Sequence, residues 1–131
     1  FIFQIDGANG YHIWQNAGGG FASIYTTAPF YDLSHGGGVL PDHWPQPQSP
    51  WCGYAGGLDA DNVAEQLWHM QESAGPQGHQ TNIWIDVETR VRSKKNVAFG
   101  GHEVAEANDV LDLDKVYAFL KACQPFVQPM R

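Results

Sequence analysis

No apolar run in this sequence approaches the ~20 residues that a bilayer-spanning helix needs, and the longest apolar stretches are of strand length. No membrane partner is expected. Basic residues are scarce: seven Lys plus Arg stand against fourteen Asp plus Glu, a formal net charge of -7. Phosphate backbones select for basic surfaces, so nucleic acid is not an expected partner either. Cysteine is limited to Cys52 and Cys123, one in a predicted strand and one in a predicted helix, which is ordinary for reduced core thiols and favours a cytoplasmic setting. There is no Cys-x-x-Cys and no His-x-x-x-His. His35 and His43 lie near Asp32 and Asp42, but without such a pattern no metal site is expected, and no cofactor. Neither an initiator methionine nor a charged n-region precedes Phe1, so no secretory signal is visible and the chain reads as a truncated product. Its 131 residues allow one compact domain.

What is present is a rhythm of short apolar runs, glycine turns and amphipathic stretches. Phe1 to Asp6 reads as a strand covered on both faces, ended by Gly7-Ala8-Asn9-Gly10. Tyr11 to Asn16 has helical character and is cut short by Gly18-Gly19-Gly20. Phe21 to Thr26 and Pro29 to Asp32 then read as two strands, closer together than the ~10 to 12 residues of a parallel crossover, so one strand or one connection there is irregular. Gly36 to Pro50 carries three glycines and then prolines, which excludes a regular helix and makes a long loop.

Trp51 to Ala55 is a further strand, and Gly56-Gly57-Leu58-Asp59 turns it into a helix with Asp59 as expected N-cap. Val63, Leu67 and Met70 share one face of that helix, which Gly75-Pro76 ends. Ile83 to Val87 is the clearest buried strand, β-branched and aromatic apart from Asp86. A short extra helix is expected within Glu103 to Asn108. The last helix has Asp112 as N-cap, a Leu111–Val116 staple, and Leu113, Val116, Tyr117 and Leu120 at helical spacing, before Pro125 stops it. Alternating strands and helices imply a parallel α/β fold with crossover helices, either a barrel segment or a doubly wound sheet. Trp44, Trp51 and Trp84 are expected as core or loop anchors.

Ligands of parallel α/β folds gather at the C-terminal ends of the strands. Three segments lie there: Asp32-Leu33-Ser34-His35-Gly36-Gly37-Gly38, Ala55-Gly56-Gly57-Leu58-Asp59, and Asp86-Val87-Glu88-Thr89-Arg90-Val91-Arg92-Ser93. Asp32, Gly36-Gly37-Gly38 and Asp42-His43-Trp44 together resemble the sixth-strand signature of phosphoribosylanthranilate isomerases. Tyr54 to Val63, with its Gly-Gly-Leu-x-x-x-Asn-Val pattern, is similar to the seventh strand, loop and helix start of that family. Ile85 to Val91 followed by Asp112 to Val116 resembles its eighth strand and last helix. The resemblance covers roughly residues 30 to 127.

It implies the C-terminal half of a (β/α)8 TIM barrel, about strands 4 or 5 to 8, over residues 1–131, with the N-terminal half absent. It also implies an Amadori-type aldose–ketose isomerisation of a phosphoribosylamine in tryptophan biosynthesis. Asp32 matches the general acid, a carboxyl that must keep its proton beneath the substrate. Gly37, Gly38, Gly56, Gly57, Asp86, Thr89 and Arg90 fall on substrate- or phosphate-binding positions. At these glycines main-chain N–H groups approach a phosphate closely, and the start of the next helix adds its dipole. The expected partner is a small phosphorylated substrate.

Two departures stand out. The Ser-Ser-Gly of the family is replaced by Glu88-Thr89-Arg90, which removes a glycine and brings in a carboxylate; Arg90 or Arg92 offers compensation by bidentate phosphate binding. The general base, a cysteine ending the family's first strand, belongs to the half that is absent, and neither Cys52 nor Cys123 is placed to replace it, so the chain alone is expected to be inactive. Other readings remain open. Asp32 is also suited to capping the glycine loop; Glu88 and Arg90 also suit an unphosphorylated or differently charged metabolite; and the open strand edges of a half-barrel invite pairing with a second copy or with the missing half.

Overall fold

The computed structural model describes residues 2–5, 28–76, 81–95, 98–99, 102–103 and 107–127. Its centre is a four-stranded parallel sheet in chain order: β1 (Ile2–Ile5), β2 (Ala28–Asp32), β3 (Trp51–Ala55) and β4 (Asn82–Asp86). β1 is bonded directly to β2, with Ile2 opposite Ala28 and Ile5 opposite Tyr31. The expected strand at 21–26 and the helical stretch at 11–16 lie outside the described residues. The β2-to-β3 crossover, residues 33–50, holds no helix, as its glycines and prolines dictate. Helix α1 (Val63–Ala74) makes the crossover to β4.

Cross-strand register sorts the sheet into two faces. One row, Ile5, Tyr31, Tyr54 and Ile85, points to the helices. There Tyr31 stacks on Tyr54 at 5.6 Å, and Val63 and Met70 of α1 complete a core that also takes in Phe119 and Cys123. Cys52, on the same face, and Cys123 are both buried free thiols, and burial pushes both up in pKa. On the opposite face Phe30, Gly53 and Trp84 lie abreast. The absent Gly53 side chain leaves room for the Trp84 indole to cross β3 and stack on Phe30, with centroids 4.8 Å apart.

Several expectations change. Helix α1 starts at Val63 with Asn62 as N-cap, not at Asp59. The Asp59 carboxylate instead accepts from the Asp61 and Asn62 N–H groups, each at 3.0 Å, forming a turn ahead of the helix. β4 is only half-buried rather than fully covered, because it has a neighbour on one side alone among the described residues. Trp51 is 55% exposed and is no core anchor, whereas Trp44 is buried.

The extra helix expected near Glu103 to Asn108 is overturned. The described residues there form antiparallel strands: β5 (Arg92–Lys95) pairs with β8 (Ala107–Leu111), and β6 (Ala98–Phe99) with β7 (His102–Glu103).

The final helix, α2 (Leu113–Cys123), is capped as expected: Asp112 accepts from the Asp114 and Lys115 N–H groups. The Ser93 hydroxyl, donating to Asp112 at 2.5 Å, is the main reason its carboxyl sits below the usual aspartate range. Its buried side differs from the expected stripe, however. Phe119 and Cys123 are buried, while Leu113, Tyr117 and Leu120 face solvent. The periodicity is compatible with either side, and the core takes the one carrying Phe119.

A methyl added at Gly53 would overlap the Trp84 ring. Gly53→Ala is therefore expected to cost about 1–3 kcal/mol by overpacking, read from chemical denaturation, and to alter Trp fluorescence as the Phe30–Trp84 stack is displaced.

Candidate functional site

The C-terminal ends of β2, β3 and β4 meet in a cleft of about 90 Å³ lined by residues of all three rim segments together with Gln4 of β1. Pockets that engulf a drug-sized ligand start near roughly 300 Å³, so this cleft fits the head of a ligand and leaves its remainder outside.

Asp32 closes β2. Its Oδ1 accepts from the Ser34 N–H at 3.2 Å and the Ser34 hydroxyl at 3.1 Å, and its Oδ2 accepts from the Gln4 amide at 3.3 Å. The first two bonds make an Asx turn that leads the chain out of the sheet, so the capping reading of this residue holds alongside any chemical one. The Gly37 N–H donates to the Ser34 carbonyl at 2.8 Å, and His35, Gly36 and Gly38 all have positive φ. That tight left-handed path is why the segment is rich in glycine.

The loop after β3 is wedged under this one. Gly57, at φ 58°, lies so close to the main chain of Val39 and Leu40 that a Cβ there would overlap the Leu40 nitrogen. Asn62 then holds it from the helix side, its Nδ2 donating to the Gly57 carbonyl at 3.0 Å while its Oδ1 accepts from the Asp59 N–H. The Gly-Gly-Leu-x-x-x-Asn pattern thus has a local physical content: the asparagine clamps the glycine turn to the first residues of the helix.

The third segment reaches across from β4. Thr89 packs on Gly38, and the Arg90 Nε donates to the Gly38 carbonyl at 3.2 Å. Val91, buried beneath, anchors this turn in the core, and its carbonyl accepts from the Asp112 N–H at 2.9 Å.

Of the residues expected from sequence, Asp32, Gly38, Gly56, Gly57, Asp86, Thr89 and Arg90 line the cleft. Gly37 does not; it serves the turn below. Of the two candidate arginines, Arg90 is the one at the cleft, while Arg92 belongs to β5 opposite Leu111. Asp42 and His43 turn away into a separate groove beside His69 and Glu72 of α1. Among the described residues no group of three or more His, Cys, Asp or Glu is placed to hold a metal ion.

Ser34 lies in the first rim segment, where Asp-x-Ser at a strand end is an Asx-turn pattern, whereas the cleft residues Gln4 and Phe30 lie outside all three segments. Gln4 joins only through the β1–β2 register, which no local signal reports. Electrostatically the cleft is mixed: among the described residues Asp32, Asp86 and Glu88 share it with one guanidinium, that of Arg90. Comparison with family models, with curated proteins and with solved structures finds no match for this chain.

Gly57 and Gly36 both have positive φ, but an added methyl at Gly36 meets nothing within 4 Å. Gly57→Ala should therefore lose more stability than Gly36→Ala, by at least about 1–2 kcal/mol in denaturant melts, and equal losses would mean that the close approach at Gly57 contributes nothing.

Proposed function

We propose that the chain is the C-terminal half of a (β/α)8 barrel whose rim cleft binds a phosphorylated sugar amine, as the resemblance to phosphoribosylanthranilate isomerases implies. The observation carrying this reading is convergence: three segments far apart in sequence, singled out by one family pattern, line a single cleft at the C-terminal ends of parallel strands. Strand order that follows chain order without reversal favours a barrel segment over a doubly wound sheet.

In this reading Arg90 holds the phosphate, its Nε already fixed on the Gly38 carbonyl so that the outer guanidinium nitrogens face the ligand. Asp32 donates the proton that opens the sugar ring to an imine; loss of the C2 proton to a base then gives an enolamine, which takes up a proton at C1 and loses its enol O–H proton to give the aminoketose. In the family pattern the base for the second step ends the first strand, in the other half of the barrel. Binding without turnover is therefore the expected behaviour of the isolated chain, in a reduced cytoplasmic setting that suits its buried thiols.

A second reading rests on the three carboxylates around one arginine. It keeps the scaffold but assigns the cleft to an unphosphorylated, cationic metabolite drawn by those carboxylates.

Titration with ribose 5-phosphate and with a reduced anthranilate–ribulose phosphate product analogue, followed by Trp fluorescence, separates the two. Saturable binding that competes with inorganic phosphate is expected. Arg90→Ala should weaken it about 10- to 100-fold, the value of a charged hydrogen bond, while Asp32→Asn leaves it within a few-fold. Absence of binding, or binding indifferent to Arg90 and to inorganic phosphate, rejects the phosphate reading and favours the second.

A further inference from the structure

Alternation along the strands sets two rows of residues, one below the other, on the sheet face opposite the helices. The upper row, at the strand ends, is Asp32, Ala55 and Asp86. The lower row is Gln4, Phe30, Gly53 and Trp84. All of the upper row lines the rim cleft, and so do Gln4 and Phe30 of the lower. Between the two aspartates stands only the Ala55 methyl, so the space above the lower row is left clear and the Phe30 ring forms an aromatic floor.

A glycine in the middle of a strand weakens it and marks a place where another group comes close. At Gly53 that group is the Trp84 indole, which an added Cβ would overlap. The indole crosses β3 and stacks on Phe30, with centroids 4.8 Å apart and ring planes 16° from parallel. With the indole over Gly53, the Phe30 ring is blocked from swinging toward β3. The height of the floor is therefore fixed by a side chain that does not itself line the cleft.

We propose that Trp84 is a specificity-determining residue: acting through Phe30 it holds the cleft floor up, and among phosphorylated sugars it restricts the ligand to one of pentose size. This rests on the phosphate reading above, in which Arg90 takes the phosphate and the sugar carbons beside Asp32 lie over Phe30. A cleft of about 90 Å³ takes such a head only while its floor stays in place. The extra carbon and hydroxyl of a hexose would be pressed against the Phe30 ring, which offers that hydroxyl no hydrogen-bond partner. Removing the indole leaves a void into which Phe30 can drop, deepening the cleft and relaxing the limit.

Calorimetric titration of the full chain with ribose 5-phosphate and glucose 6-phosphate, each with and without competing inorganic phosphate, tests this. The wild-type chain is expected to bind the pentose phosphate at least about tenfold more tightly than the hexose phosphate. Trp84→Ala should narrow that ratio to about threefold or less, and so should Phe30→Leu, which removes the floor ring without opening the space over Gly53. Trp68→Ala, at an exposed position on α1, should leave the ratio as it is. Far-UV circular dichroism reports whether each variant folds, and either folded variant suffices. A wild-type ratio near one, or a ratio that survives in a folded variant, overturns the inference while competition by inorganic phosphate keeps the phosphate reading standing. Sugar phosphates that inorganic phosphate does not displace overturn that reading, and this inference with it.

Discussion

The rim depends on the close approach of Gly57 to the main chain of Val39 and Leu40. No residue with a Cβ fits there at φ 58°. Because glycine fits, the loop leaving β2 lies down over the end of β3, and Gly38 arrives where Thr89 packs on it and Arg90 bonds its carbonyl. Asn62 locks the same glycine from below. With a larger residue at position 57 the three strand ends would still lie in one sheet, but their loops would have no common floor.

The rest of the long β2–β3 crossover is held by aromatic side chains rather than by regular structure. Tyr54 donates its hydroxyl to the Pro45 carbonyl at 2.7 Å, Trp44 lies edge-on to Tyr54, and the Trp44 indole N–H donates to Gln66 of α1 at 2.9 Å. Burial and the neighbouring Cys52 push the Tyr54 phenol strongly up in pKa, so it stays a neutral donor. A loop without helix or strand is thereby tied at its middle to both the sheet and α1, which keeps the rim end of the loop near one position.

Where local chemistry decides structure, the sequence was readable. β3 and the Asp112 cap follow from residue type and spacing, and the glycine segments mark the rim turns with little ambiguity. Where a choice depends on distant neighbours, it was not. The apolar periodicity of α2 permits two buried faces, and only the position of the core selects Phe119 over Tyr117. Asp59 and Asn62 are both good caps; the reciprocal bonds between them decide that the aspartate makes the turn and the asparagine starts the helix. Glu103 to Asn108 has residues that suit a helix, but pairing of β8 with β5 overrides that preference. At the site, sequence pointed to Asp32, Gly56, Gly57 and Arg90 but not to Gln4, which is brought in by sheet register alone.

The cleft places acids and one arginine within a small volume, and its charge is therefore the quantity that decides its ligand. The most direct test of a phosphate-binding rim is amide chemical-shift mapping of the full chain during titration with ribose 5-phosphate at fixed salt. Saturable shifts centred on Gly38, Gly56, Gly57, Thr89 and Arg90 are the predicted result. Shifts scattered over the surface, or confined to the groove beside His69, would contradict it.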